Sequence, residues 1–470
     1  MAKWLQKNPS RVIIDSSQTI TRREGFIMNI LQKFTTKIKS LFNSKVFFNF
    51  EGGDITTDAG LSLVADFTHA IGFEEIIGNN FNLESDTAKR EHTNESIIAQ
   101  HIMQNVAGYH TQDNADDLMY DPLFANLIAK EKLASQPTIS RFMNRLTLGT
   151  SKQFEKMNMD LLDRVYEIAP PEEFLFDADS TMTLAFGKQH GKAYNHHYKS
   201  TGFHPLTVFN GTTGDFLKVE NRSGNVYTSR NTTRFMSSLI SHYKTKFPHI
   251  PQTFRADSGF ALPQLYELLE AMGCRYCIRL KSNPALVSLG QQVIADMMCD
   301  EQIHKEYTVY REFKYAAGSW NKKRRVIVKV YKPAGQMLPT KMTFYVTDLD
   351  LLPKDTVIFY NKRGTSENMI KEAKNGFRMD KVSYRNFDTN TNHMQLSMLA
   401  YNIVNSFKRL VLPKKFDGMQ IGTLRNKLFK IGAKKIKGAG VVTYKMASAY
   451  PFKDLFHETH QNIRVLAELL

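Results

Sequence analysis

The stretch Phe174-Leu175-Phe176-Asp177-Ala178-Asp179-Ser180-Thr181 decides the reading of the fold. It is an apolar run ending in acids, and it reads as a β-strand from Phe174 to Asp179. Side chains two apart along a strand lie on the same face, so Asp177 and Asp179 share one. Just upstream, Ala169-Pro170-Pro171-Glu172-Glu173 has the composition of a linker, and the character of the chain changes across it.

Downstream, Phe203 to Asn210 and Phe216 to Glu220 read as a second and a third strand about a Gly-Thr-Thr-Gly turn. Arg234 to Tyr243 follows as a helix, Gln252 to Ala256 as a strand, Leu262 to Met272 as a helix and Arg275 to Leu280 as a strand. Three strands, helix, strand, helix, strand is the element order of a ribonuclease-H-like α/β domain. Residues 300–360 break that order with alternating strand candidates, Glu306 to Tyr315, Arg325 to Tyr331 and Met342 to Thr347, and read as a β-rich insertion. From Ser366 the chain is helical again, with Met394 to Leu410 its strongest amphipathic stretch.

Upstream of the linker the pattern is helical. Val46 to Phe50 is a short strand-like run, and Thr57-Asp58 opens a helix that stops at Gly72. Residues 93–147 read as several helices, the last begun by Gln136-Pro137-Thr138 and carrying Ser140 and Arg141. A short helix, a turn and such a helix suggest helix-turn-helix DNA binding, with Arg141 as a contact.

Composition narrows the classes. The chain has 470 residues, 62 Lys and Arg against 46 Asp and Glu, and a formal net charge of +16. An apolar share of 42% is ordinary for a globular protein and excludes a mainly disordered chain. No apolar run is long enough to span a membrane, and the polar N-terminus lacks a signal-peptide core. Three cysteines cannot build a disulfide framework, which suits a cytoplasmic protein. Cys274 and Cys277 have CxxC spacing, but Cys299 stands alone, so buried structural thiols are expected rather than a zinc site. The charge sits in two blocks: nine basic and two acidic residues in 1–45, ten basic and one acidic in 408–438. Two basic blocks around a nearly neutral body suit a polyanionic partner, most simply nucleic acid. In the second block the cations alternate with Leu424, Leu428, Phe429, Ile431 and Ile436, so part of it is expected to be folded. A third cluster, Lys322 to Arg325, reads as a loop-tip contact.

Three acids fall where such a fold gathers them. Asp179 ends the first strand, Asp257 follows a later strand in Arg255-Ala256-Asp257-Ser258-Gly259-Phe260, and Glu367 opens the helix after the insertion. Open α/β sheets place their sites at the carboxyl ends of strands. Carboxylates from separate elements can hold two hard Mg²⁺ ions for in-line attack on a phosphodiester. Asp177 competes with Asp179 for the first position. Around Glu367 the spacing is Tyr360, two residues, Arg363, three residues, Glu367, six residues, Lys374. Glu367 and Lys374 share a helix face two turns apart, and a carboxylate flanked by cations suits a metal site beside DNA phosphates. An ion-paired surface helix gives the same pattern.

At these residues the sequence resembles the DDE transposases of bacterial insertion sequences, in the group with a YREK signature. Tyr360, Arg363, Glu367 and Lys374 match all four signature positions, and Asp179-Ser180-Thr181 and Asp257-Ser258-Gly259-Phe260 resemble the first and second Asp motifs. Further matching stretches are Gly187-Lys188-Gln189 through Tyr198, His204-Pro205-Leu206, Arg222-Ser223-Gly224-Asn225 and Leu399-Ala400-Tyr401-Asn402, and the similarity runs from about Phe47 to the C-terminus. The resemblance implies a ribonuclease-H-like core interrupted by a β insertion. It implies Mg²⁺-dependent cleavage (Mn²⁺ substituting) at terminal inverted repeats, and joining of the freed 3′-OH to target DNA. Asp179, Asp257 and Glu367 would hold the metals, and Tyr360, Arg363 and Lys374 would contact DNA near the cleaved end. Trp320, beside the Lys322–Arg325 cluster, could stack on a flipped base or pack a hairpin. His190, His196 and His197, just after the first Asp motif, are further DNA-contact candidates.

The expected organisation is a basic segment 1–45, a helical DNA-end-binding region 46–168, a catalytic domain 173–299 with 361–410, a β-rich insertion 300–360 and a basic C-terminal region 411–470. Partners would be double-stranded DNA, as inverted-repeat ends and target, and a second copy of the chain in a homodimer on DNA. The nucleoid would be the site of action. Met28 is a candidate natural start. The rival readings are a ribonuclease-H-like nuclease without strand transfer and a DNA-binding protein without catalysis.

Overall fold

The computed structural model describes residues 37–84, 91–292, 295, 306–335 and 341–470. Met28, most of the N-terminal basic block and Cys299 lie outside these. The chain divides into two units, Met1–Ile55 with Ala433–Lys445 and Thr56–Gly432 with Met446–Leu470. In the smaller unit, Ile38–Lys39 pairs antiparallel with Phe47–Phe48, a shorter strand than the one expected over Val46 to Phe50. Its other part is a hairpin, Ala433–Gly438 and Val441–Met446, turning through Ala439 and Gly440, both at positive φ.

The larger unit is a mixed α/β assembly around one eight-stranded sheet. Its strands are β1 (Phe174–Ser180), β2 (Leu206–Asn210), β3 (Phe216–Glu220), β4 (Gln252–Ala256), β5 (Arg275–Leu280), β6 (Tyr307–Tyr315), β7 (Arg324–Lys332) and β8 (Lys341–Thr347). They lie in the order β6-β7-β8-β5-β4-β1-β2-β3. Strands β1, β4 and β5 run parallel, and all the other pairings are antiparallel. Parallel neighbours need crossovers, and helices α1 (Thr232–Lys246) and α2 (Pro263–Met272) supply them.

Alternation along β1 sorts its two faces. Phe174, Phe176 and Ala178 are buried in a core with Leu239 and Tyr243 of α1 and Leu265 and Leu269 of α2. Each fully buried phenylalanine contributes about 1.5–3 kcal/mol. Asp177 and Asp179 take the opposite face, as the period of two requires. There the sheet is covered by helices, chiefly α5 (Phe387–Val411), whose Leu396, Leu399 and Ile403 pack in one core with Phe209, Phe216 and Val219. Asn402 of α5 fixes the register: its side chain accepts from Phe216 N–H at 2.8 Å and donates to Phe216 O at 2.7 Å and Asn158 Oδ1 at 2.6 Å. These bonds explain how a polar side chain sits at the centre of a buried helix face.

Two expectations change. The strand expected over Phe203 to Asn210 is two strands, Ser200–Phe203 and Leu206–Asn210. Pro205 has no N–H to continue a ladder, and its carbonyl instead accepts from Thr181 N at 3.1 Å. The segment 300–360 is β-rich only as far as Thr347. It ends in helix α3 (Pro353–Asn361), with Pro353 in its first turn, where a missing N–H costs nothing. The three strands β6 to β8 extend the central sheet through β8 on β5. Helix α4 (Gly364–Phe377) follows α3 directly. Among the described residues no helix is long and apolar enough to cross a membrane.

Candidate active site

Register brings the first two acids together. Along the parallel pair β1 and β4, Arg255 lies opposite Asp177 and Ala256 opposite Ala178. One step further, Asp179 and Asp257 meet at the carboxyl ends of the central strands. Asp257 caps the turn Ser258–Phe260, its Oδ1 accepting from Gly259 N at 2.8 Å. Glu367 lies exposed in the first turn of α4, where a carboxylate is favoured by the helix dipole.

Asp179 reports the grouping. Burial pushes its carboxyl up to about 6, Arg363 pulls it down, and the charges of Asp257 and Glu367 push it up again. An aspartate beside an arginine usually titrates low. Here burial outweighs the pair, although Arg363 Nη2 sits 2.9 Å from Asp179 Oδ2. Arg363 Nε is buried without a hydrogen-bond partner.

Asp177 is committed elsewhere. Both its oxygens accept from Arg255, Nε to Oδ1 and Nη2 to Oδ2, each at 2.6 Å. Arg255 is 1% exposed and also donates to Phe359 O on α3, over whose ring it lies at 5.0 Å. The pair is a buried fork that ties β1, β4 and α3 together. It leaves Asp179 as the free acid of the strand.

The remaining signature residues are anchored in protein. Tyr360, on the last turn of α3, is 8% exposed and packs on Tyr345 at a centroid distance of 4.7 Å. Burial pushes its hydroxyl up to about 12, with Arg363 opposing and Asp257 adding to the shift. Lys374 donates to Met182 O at 2.8 Å, tying α4 to the loop that follows β1. Burial pulls its ammonium below the usual lysine range.

Trp320 and Arg141 stand apart from this grouping. Trp320 is edge-on to Tyr266 at 5.3 Å and Tyr315 at 5.4 Å, with the Arg324 guanidinium 5.5 Å from its ring. Lys322 and Arg324 pair with Glu270 at 2.9 and 2.8 Å, and Arg325 pairs with Glu312, so most of that basic cluster is ion-paired. Arg141 is exposed and lines a separate concavity with His92 and Arg145. Cys274 and Cys277 are buried free thiols, and burial pushes Cys277 up to about 12. Of the histidines, His196 and His197 line a cleft with Asp179 and Asp257, and His190 N–H donates to Arg385 O at 2.8 Å. Tyr198, Tyr227 and Lys281 line the same cleft and carried no motif that singled them out.

Three carboxylates are hard oxygen donors of the kind that hold Mg²⁺ or Mn²⁺. Among the described residues, however, no three His, Cys, Asp or Glu side chains converge closely enough to hold an ion. Asp179 Oδ2 is taken by Arg363 and Asp257 Oδ1 by a backbone N–H. The donor chemistry fits a divalent cation, and the set closes on one only when side chains move, Arg363 first.

The profile of the family described as transposase DDE domain, group 1, matches residues 38–468. The chain belongs to the DDE transposase family. Membership places the acids of this transposase domain in a protein class that acts on nucleic acid. A comparison with curated proteins finds no match. Among solved structures, the piggyBac transposase synaptic complex with hairpin DNA is similar at 12% identity and a TM-score of 0.43, covering 80% of each chain.

Proposed function

We propose that this transposase mobilises a bacterial insertion sequence of the YREK group. It binds the element's terminal inverted repeats, cuts at their ends and joins the freed 3′-OH to target DNA. Asp179, Asp257 and Glu367 hold divalent metal, Mg²⁺ in the cell. The observation that carries the reading is the electrostatic coupling of Asp179 to both Asp257 and Glu367 at the carboxyl end of the central parallel strands. Asp179 is preferred over Asp177 because Arg255 occupies both oxygens of Asp177. Counted from β1, the strand order 3-2-1-4-5, with the second strand antiparallel, supports a ribonuclease-H-like core.

When bound, the metal activates the attacking oxygen and steadies the leaving one. The chain's own residues supply position. Arg363 leaves Asp179 and pairs with a phosphate, for which its planar fork is suited. Lys374 holds the loop after β1, so Asp179 and the face of α4 keep their spacing. Tyr360 anchors α3 under Arg363. Residues 46–168 serve as the DNA-end-binding region, and two copies of the chain bring two ends together.

The test uses the full chain with DNA carrying the ends that flank its own reading frame. Glu367→Gln should abolish cleavage in Mg²⁺ and keep end binding. Unimpaired cleavage in that variant sinks the assignment. Cleavage without joining to a second DNA would favour the hydrolytic nuclease instead.

A further inference from the structure

Next to the paired acids lies a cleft of about 450 Å³, within the range of small-ligand sites. Asp179 and Asp257 lie on it, and so do three exposed tyrosines, Tyr194, Tyr198 and Tyr227. Their surroundings are built. His197 stands edge-on to Tyr198 at 4.8 Å, and Tyr198 edge-on to His204 at 5.7 Å. Lys281 Nζ lies 3.3 Å from the Tyr227 hydroxyl and 6.0 Å from its ring centre.

His204 adds an independent observation. It lines the cleft and is 4% exposed. Its Nδ1 lies 2.8 Å from Val226 O. A carbonyl only accepts, so Nδ1 carries the proton and Nε2 is a lone pair. That Nε2 is buried and has no partner. A buried acceptor without a donor is costly, and the group that completes it must carry an N–H or O–H.

We propose that this cleft takes an unpaired nucleobase from the nucleotide adjoining the scissile phosphate. Tyr198 and Tyr227 offer ring faces to the base, His204 Nε2 accepts from its amino or imino N–H, and Lys281 meets the phosphate of that nucleotide. The chemistry selects a base over a sugar or a peptide. Stacking surfaces suit a planar π-system, a lone-pair acceptor suits the edge of a base, and a cation at the rim suits the backbone. The inference rests on the transposase reading, since it places the base beside the acids that would cut.

The full wild-type chain in EDTA is titrated with short single-stranded oligodeoxynucleotides that differ at one central position. That position holds adenine, unsubstituted purine or no base. Adenine should bind about tenfold tighter than the abasic probe, and removal of its amino group alone should cost several-fold. The adenine preference should vanish in Tyr198→Ala and Tyr227→Ala, both of which change exposed side chains. Equal affinity for all three probes in the wild type overturns the proposal, and so does a preference that survives in both variants. If end cleavage and joining still occur in Mg²⁺, only the base site has failed. If the wild-type chain binds no DNA, the transposase reading fails with it.

Discussion

Asp179 and Asp177 are two residues apart on one strand face, and their partners give them different lives. Asp179 faces Arg363 and two like charges, and its carboxyl is raised to about 6 chiefly by burial. A raised carboxyl means that the folded chain holds a proton the unfolded chain has released. Stability from this group is therefore full below about pH 4 and is lost as pH rises to about 6. One pKa unit is about 1.4 kcal/mol, so the loss is at most about 3 kcal/mol. Asp257→Asn removes one of the raising charges, so the metal-free variant should lose less stability than the wild type between pH 4 and pH 7. Denaturant midpoints at the two pH values measure this, and identical losses would refute the coupling. Asp177 depends instead on the space beside it. A Cβ at Gly211 would stand 2.3 Å from Asp177 Oδ2 and 3.0 Å from Arg255 Nη2. Gly211→Ala should break the fork and destabilise the protein by about 3 kcal/mol or more. A midpoint unchanged from wild type would show the fork to be dispensable. Alternation alone left both aspartates as candidates, because strand period cannot tell which acid meets an arginine from the next strand.

Helix α4 joins the two halves of the signature. Arg363 at its start reaches Asp179, and Lys374, near its end, reaches the carbonyl of Met182 just beyond the same strand. The helix thus clasps the end of β1 at two points. Lys374→Ala should free the loop after Ser180 while leaving the helix folded. Hydrogen exchange at the amides of residues 181–185 should accelerate by about tenfold, the effect of losing one charge-assisted bond of roughly 1.4 kcal/mol. Unaltered exchange there, with reduced DNA affinity, would assign Lys374 to phosphate alone. At this scale the sequence was largely readable. The strands at Gln252–Ala256, Arg275–Leu280 and Phe216–Glu220 agree with their patterns to the residue. Pattern failed where a single backbone feature overrode it. Pro205 cut a continuous apolar run in two, and Pro353 began a helix inside a segment whose composition reads as β. The aromatic cleft was illegible because Tyr198, His204, Tyr227 and Lys281 come from separate loops and strand ends. No spacing rule links residues that only the sheet order brings together.

Over the whole molecule the +16 has a different meaning once burial is known. Residues 408–438 hold ten cations, yet several are internal ties. Arg425 donates to the carbonyls of Asn105, Val106 and Gly376. Lys430 pairs with Asp58, which is 1% exposed, and Arg409 and Lys408 face Asp215 and Glu372. The apolar residues between them behave accordingly: Leu424, Leu428, Phe429 and Ile431 are buried, whereas Ile436 is exposed. Lys414, Lys415, Lys434 and Lys437 remain exposed. Only exposed cations can release counterions from a duplex, and each phosphate contact contributes about −0.9 to the slope of log K against log salt. Replacing those four lysines with alanine should flatten the slope by about 0.9 for every one that meets a phosphate, with the folding midpoint unchanged. Lys430→Ala should do the reverse. It strands the Asp58 carboxylate, costs about 2 kcal/mol of stability and leaves the slope as it was. Salt titrations of binding and denaturant melts on the same two proteins separate the classes. A flattened slope in Lys430→Ala would mean that this cation reaches DNA after all, and that burial is a poor guide to which charges of the block serve the duplex.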